Sequence, residues 1–296
     1  MIERVQFAKP LLRQLNAEGY ACVDMHYHTQ YSDTYTKIRK ILDKCRKNSI
    51  GVAITDHNEI KGCIDAAKRN REFNAFVIPA IEASCREGAH LLAYFYSLDE
   101  LKEYYANVIR KNLTKSPYMS AITFEDLLEK TRQYNCVISA AHPFTIMPWN
   151  LQKKFESGNF DMSLIKKTHA FEVINGLLVR RTNLMAVEWA REHDKAITGG
   201  SDGHTLKMLG STVSCSKADD IDSFLKSILK KKNMVIGTET SPSYRVLSNM
   251  KAISKQTRYV GRSLRMHYDF RIRGKIRPKI REKINSVKEN LKGRFV

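Results

Sequence analysis

The 296-residue chain has no paired cysteine motif. Cys22, Cys45, Cys63, Cys85, Cys136 and Cys215 are scattered without a CxxC spacing, which leaves no sulfur-ligated zinc ribbon and argues against a disulfide scaffold in a chain this long. Six buried thiols in a reducing compartment are expected instead. Long apolar runs are also missing. The best, "AFVIPAIEA" and "HLLAYFY", have strand length, far below the roughly 20 apolar residues that span a bilayer. No transmembrane segment is expected. The start, "MIERVQFAKPLLRQLNAEG", offers no apolar stretch with a cleavage site, so a cytoplasmic location is expected. No internal repeat or low-complexity tract stands out. Hydrophobic residues at 43% and charged residues at 27% indicate a globular chain with a sizeable core rather than a disordered one.

Acidic residues are scarce: 31 Asp and Glu against 50 Lys and Arg, a net charge of +19. The imbalance is concentrated at the end. Residues 245–296 hold sixteen basic residues and three acids, which places +13 there and +6 in everything before. The chain therefore reads as a body, 1–244, and a basic extension, 245–296. Leu247, Met250, Ile253, Val260 and Leu264 fall at helical spacing, as do Ile276, Ile280, Ile284, Val287 and Leu291. Two basic amphipathic helices are expected, able to contact RNA or an anionic membrane, or to pack on the body with their charges in water. The extension's aromatics are too few and uneven to argue for base stacking.

The body alternates short apolar runs with amphipathic stretches, the pattern of an α/β protein with a mainly parallel sheet. Strand candidates are "YACVDM", "IGVAIT", "AFVIPAIE", "AHLLAYFY", "CVISAAH", "HAFEVIN", "KAITGGS" and "STVSC". Between the fourth and fifth lies a helical insertion, about 97–134. Ser97 with Glu100, and Thr123 with Asp126, have capping-box spacing before the helices "DELKEYYANVIRKNL" and "FEDLLEKTRQY".

In "VDMHYHTQYSD" two histidines stand one residue apart at a strand end, so His26 and His28 face the same way and can grip one ion. An HxH pair alone is weak evidence. Other strand boundaries add Asp56 and His57 in "AITDHNE", Glu82 in "IPAIEAS", His90 in "AHLLAYF", His142 in "AAHPF", and Asp202 with His204 in "GGSDGH". Six of nine histidines lie at strand boundaries, five of them at carboxyl ends. In a barrel of parallel strands those ends converge on one face. Carboxylates among imidazoles favour divalent Mn, Fe or Zn over Ca or Mg. The other three, His169 at a strand start, His193 at a helix end and His267 in the extension, carry structural readings.

Six stretches, "DMHYHTQYSD", "AITDHNEIKG", "IEASCREGAHLLAYF", "AAHPF", "FEVINGL" and "GGSDGHTLKMLGS", occur in the order of the polymerase and histidinol phosphatase (PHP) superfamily of metal-dependent phosphoesterases. The chain resembles that family over roughly residues 20 to 240. The resemblance implies a distorted seven-stranded (β/α) TIM-like barrel with two or three metal ions. It assigns His26, His28, Glu82 and Asp202 to one ion. Glu82 would bridge to a second, held with His90 and His142, and Asp33, His57 and His204 would hold a third. Asp56, facing away from His57, would support ligands from behind. The ions would supply a water nucleophile and offset phosphoryl charge, with Glu82 and Asp202 bridging. Arg86 and Arg180, just past strand ends, are candidates for a substrate phosphate. Where nucleotide-cleaving members carry a Gly-Arg-Pro-His-like stretch, this chain reads "TKSPYMSAITFEDL", which puts a nucleotide substrate in doubt.

Hydrolysis of a phosphate ester, from a phosphorylated small molecule or a short oligonucleotide, is the function expected. The alternatives are a single-strand exonuclease of the same fold and a non-catalytic polyanion-binding protein docking through its tail.

Overall fold

Ten strands form one curled sheet in the computed structural model, which describes residues 4–145 and 150–268. They are β1 (Val5–Gln6), β2 (Ala21–Tyr27), β3 (Gly51–Ile54), β4 (Val77–Ser84), β5 (His90–Phe95), β6 (Cys136–Ala140), β7 (Ala170–Asn175), β8 (Ala196–Gly200), β9 (Thr212–Ser216) and β10 (Met234–Gly237). Their order is β1-β10-β9-β2-β3-β4-β5-β6-β7-β8. The sheet thus has ten strands where seven were expected. β1 and β10 are too short to leave an apolar signature, and together with β9 they extend the sheet beyond β2.

Two runs are parallel, β2-β3-β4 and β6-β7-β8. β5 lies antiparallel to both its neighbours, and β9 to both of its own. The curl returns the end of β8 to β2. Tyr27 and Gly203 form a parallel bridge, with His28 N donating to Gly203 O at 3.2 Å. The backbones are so close there that a Cβ on Gly200 would fall 2.4 Å from His26 N, and only glycine fits.

Among the described residues nine α-helices lie between the strands, α1 (Leu12–Ala17), α2 (Ile38–Asn48), α3 (Lys61–Arg69), α4 (Leu98–Tyr104), α5 (Phe124–Thr131), α6 (Leu151–Glu156), α7 (Ser163–Lys167), α8 (Arg180–Glu192) and α9 (Ile221–Leu229), and α10 (Pro242–Tyr268) follows β10. α2 shows why they pack. Ile38, Ile41, Leu42 and Cys45 recur every three or four residues on one buried face, each large aliphatic contributing about 1.5–3 kcal/mol. The helix stops where Ser49 turns left-handed at φ 51°. α8 docks similarly, Trp189 stacking on Phe171 of β7 with centroids 4.3 Å apart.

The insertion holds α4 and α5. Ser97 and Glu100 form both halves of a capping box, and Thr123 accepts from Asp126 N. The first expected helix is broken: after α4 come a π-helical turn, Tyr105–Ile109, and a 3-10 turn, Arg110–Asn112.

The expectation of six unpaired thiols fails here. Cys22 and Cys215, opposite each other across the β2–β9 pair, are disulfide-bonded, leaving four buried free thiols. Their separation of 193 residues hides a pairing that only strand register creates. The apolar stripe of the extension also points outward in part. Met250 is 61% and Ile253 55% exposed, whereas Ser248 and Ala252 are buried. The chain divides into compact units Met1–Lys255 and Gln256–Val296. The helix expected over 276–291 lies outside the described residues. No helix among those described is long and apolar enough to cross a membrane.

Candidate metal centre

Strand geometry delivers the ligands. Alternation puts Asp24, His26 and His28 on one side of β2 and its continuation. Asp56 and His57 follow β3, Glu82 sits in β4, and His57 bridges Glu82 in parallel register. His90 opens β5, yet it reaches the same mouth, because β5 runs antiparallel and places His90 opposite Ser84 at the end of β4. His142 follows β6, and Asp202 and His204 follow β8. His142 (φ 29°) and Asp202 (φ 50°) adopt the left-handed region that favours glycine, strain that the surrounding packing must sustain.

Glu82 lies at the centre, fully buried. Its Oε1 is 2.7 Å from His90 Nδ1 and 3.0 Å from His142 Nε2. Its Oε2 is 2.9 Å from His57 Nδ1, 3.4 Å from His26 Nε2 and 3.5 Å from His28 Nε2. Asp202 Oδ1 reaches His28 Nε2 at 3.0 Å and His26 Nε2 at 3.5 Å. Asp33 Oδ2 reaches His204 Nε2 at 3.0 Å and His57 Nε2 at 3.3 Å, and its Oδ1 lies 3.7 Å from His28 Nδ1. Four overlapping groups have ligand atoms within 4.8 Å of one another: His26, His28, Glu82; His28, Asp33, His57; His28, Asp202, His204; and His57, Glu82, His90.

Burial works against every charge here; the mutual attraction of acids and imidazoles overrides it at Glu82, Asp33, Asp202, His26, His57, His142 and His204, whereas at His28 and His90 burial wins and lowers the imidazole. Desolvation would raise the Glu82 carboxyl, but His57, His90 and His26 hold it well below the usual carboxylate range. Asp33 behaves likewise against His204, His28 and His57. Burial lowers and Asp33 raises His204, whose pKa reaches about 9. Among the described residues the ion pairs of Glu82, Glu172 and Asp202 are all to imidazoles, with no lysine or arginine. Two atoms that face each other, His26 Nε2 and Glu82 Oε2, are buried without a hydrogen bond. A dense acid and imidazole set with unsatisfied lone pairs fits divalent cations, the ions that such nitrogen and oxygen donors take.

Sequence reasoning missed several supports. Glu172, mid-strand in β7, accepts from His26 Nδ1 at 2.9 Å through Oε1 and from His142 N at 2.8 Å through Oε2. Asn175 Nδ2 donates to both Glu172 Oε2 and Asp202 Oδ2 at 3.1 Å. A charged residue inside the apolar run "AFEVIN" was the available signal. Asp24 accepts from Ser201 N (2.8 Å), Ser201 Oγ (2.6 Å) and Gly210 N (2.9 Å), pinning the loop of Asp202 and His204 to β2. Burial raises its pKa to about 6.

Asp56 accepts from Thr29 N at 2.7 Å and Thr29 Oγ1 at 2.6 Å, so it anchors the chain after His28 rather than an imidazole. Burial pushes it up to about 7. Arg180 is committed elsewhere: its guanidinium forks onto Glu239 at 2.5 and 2.9 Å and stacks over Phe7 at 4.3 Å. Arg86 is half-exposed, 3.9 Å from Glu87. His169 Nδ1 accepts from Ile138 N, and His193 caps the end of α8.

Residues 180–233 match a family described as PHP-associated. An uncharacterized protein of Methanocaldococcus jannaschii is 26% identical over 273 residues, 89% of this chain and 99% of its own. A second from that organism is 31% identical over 134 residues, 41% of this chain and 67% of its own. Among solved structures, a candidate metal-dependent phosphoesterase from Bifidobacterium adolescentis superposes with a TM-score of 0.52 and 17% identity, covering 80% of this chain and all of that one. The lesion-specific endonuclease Q of Pyrococcus furiosus gives 0.58 and 18%, covering 73% of this chain and 57% of that one.

Proposed function

Because the chain belongs to the PHP superfamily, we propose that it hydrolyses phosphate esters at this cluster with two or three divalent ions, Mn, Fe or Zn. The observation that carries the reading is Glu82, a fully buried carboxylate with five imidazoles within 3.5 Å. Nothing in a folding core calls for such a concentration, since buried charges are costly unless paired or bound to metal.

His26, His28, Glu82 and Asp202 would hold one ion, Glu82 with His90 and His142 a second, and Asp33 with His57 and His204 a third. Bound divalent cations supply Lewis acidity toward phosphoryl oxygens and an activated water. The chain's own groups fix the ligand atoms. Glu172 accepts a hydrogen bond from Nδ1–H of His26, so Nε2 presents its lone pair inward. Asp24 and Asp56 tie down the loops from which Asp202, His204 and Asp33 project. The substrate is a phosphorylated small molecule or a short oligonucleotide. Arg86 and Arg180 are the arginine candidates for its phosphate, and Arg180 would have to leave Glu239 to meet one.

The test uses p-nitrophenyl phosphate and bis(p-nitrophenyl) phosphate with purified protein. Hydrolysis should vanish with chelator, return with Mn, and be lost in Glu82→Gln. Less than one ion bound per chain, with neither ester cleaved, would overturn the reading.

A further inference from the structure

Among the candidate ligands Asp33 lies farthest past its strand, in the stretch between the end of β2 at Tyr27 and the start of α2 at Ile38, and its placement needs an explanation. The segment closes on itself, Gln30 N donating to Thr36 O at 3.0 Å. Asp56 holds its start through Thr29. Its far side is held by α10. Lys255 Nζ donates to Gln30 O at 2.5 Å and Thr34 O at 2.6 Å, two carbonyls that bracket Asp33. The same ammonium lies 5.5 Å from the Tyr35 ring centroid, and Ser254 Oγ hydrogen-bonds Tyr35 Oη at 3.3 Å.

α10 also reaches the other loop of the site. Ser248, Ala252 and Lys255 share one helix face at spacings of four and three. Ser248 Oγ donates to Met208 Sδ at 3.5 Å, Thr205 Oγ1 donates to Tyr244 Oη at 3.4 Å, and Lys207 sits over the Tyr244 ring at 4.9 Å. Thr205 to Met208 directly follow His204. One helix therefore touches both loops whose ligands, Asp33 and His204, meet at 3.0 Å.

We infer that Lys255 is a positioning residue that clamps the Gln30–Thr34 carbonyls and so holds Asp33 against His57 and His204. The ammonium suits this task because it donates in several directions to neutral carbonyls that an uncharged side chain would bind less strongly. The first part of α10, which the sequence assigns to the basic extension, thus belongs to the metal centre's mouth, and this assignment rests on the metal reading only for its binding consequence.

The experiment compares full-length Lys255→Met and Lys255→Arg with the parent. Hydrogen exchange of amides 30–36 is measured without metal or substrate, and Mn binding is measured by calorimetry. Lys255→Met should speed exchange in that loop at least about tenfold while β2 to β8 keep their protection, and weaken one Mn site by about 10–100-fold, the range for loss of an outer support. Lys255→Arg should restore part of both. Unchanged exchange in Lys255→Met would overturn the clamp, as would equal loss of protection across the sheet in both variants, since Lys255 would then be a general element of the fold. Loop exchange needs no catalysis, so a protein that cleaves no phosphoester would sink the proposed function while leaving this readout intact.

Discussion

Glu172 and His26 meet 2.9 Å apart with both side chains almost entirely out of solvent, Nδ1 of the imidazole donating to Oε1 of the carboxylate. That contact fixes the ring's orientation and leaves Nε2 aimed at Glu82 and Asp202. The other oxygen of Glu172 receives the His142 amide, so one carboxylate aligns ligands from two strands.

Glu172→Ala should therefore weaken metal binding without removing a ligand. A loss of about 10–100-fold in Mn affinity is expected, measured by calorimetry, with ester hydrolysis falling in parallel. Glu172→Gln, which keeps acceptor oxygen but loses charge, should fall between.

Asp24→Ala should destabilise the fold more than a surface change would. It strands the buried Ser201 N–H, Ser201 hydroxyl and Gly210 N–H, each unsatisfied group costing about 1–3 kcal/mol. The thermal midpoint should drop by several degrees. A midpoint within one degree of the parent would show that water replaces the carboxylate.

Gly62→Ala places a Cβ 2.2 Å from Asp56 Oδ2 and 2.9 Å from Thr29 Oγ1. Alanine would favour α3 by about 1 kcal/mol on propensity alone, so sterics and propensity oppose each other. Sterics should win, because the atoms struck belong to a buried hydrogen bond rather than a flexible side-chain end. Lower stability with weakened metal retention is expected; a more stable variant would show that Asp56 has room to move.

Metal should stabilise the folded chain by mass action. At a free Mn concentration about 100 times the dissociation constant, one site adds about 2.7 kcal/mol, read as a higher thermal midpoint that chelator reverses. Glu82→Gln should lose most of that increment, and an equal increment in the variant would place the ions elsewhere.

Much of this was visible in the sequence because local rules act on neighbours. Alternation along a strand puts His26 and His28 on one side, and capping chemistry marks Ser97 with Glu100 as a helix start. The apolar runs before them placed Glu82, His142, Asp202 and His204 at strand ends before any coordinates did. His90 is instructive. As the first residue of a strand it belonged at the wrong end of a parallel barrel, and only the reversal of β5 brings it to the mouth.

What the tertiary structure alone decided are relations between residues far apart in the chain. The Cys22–Cys215 bond needs the β2–β9 register, Glu172 becomes a support only when β7 lies beside β6 and the curled sheet returns to β2, and Lys255 meets Gln30 and Thr34 across more than two hundred positions. Residue type and spacing fix which groups can hold a cation or fill a core. Hydrogen-bond partners are chosen by strand order and the direction of approach, which burial of apolar surface over the whole domain sets and no local pattern encodes.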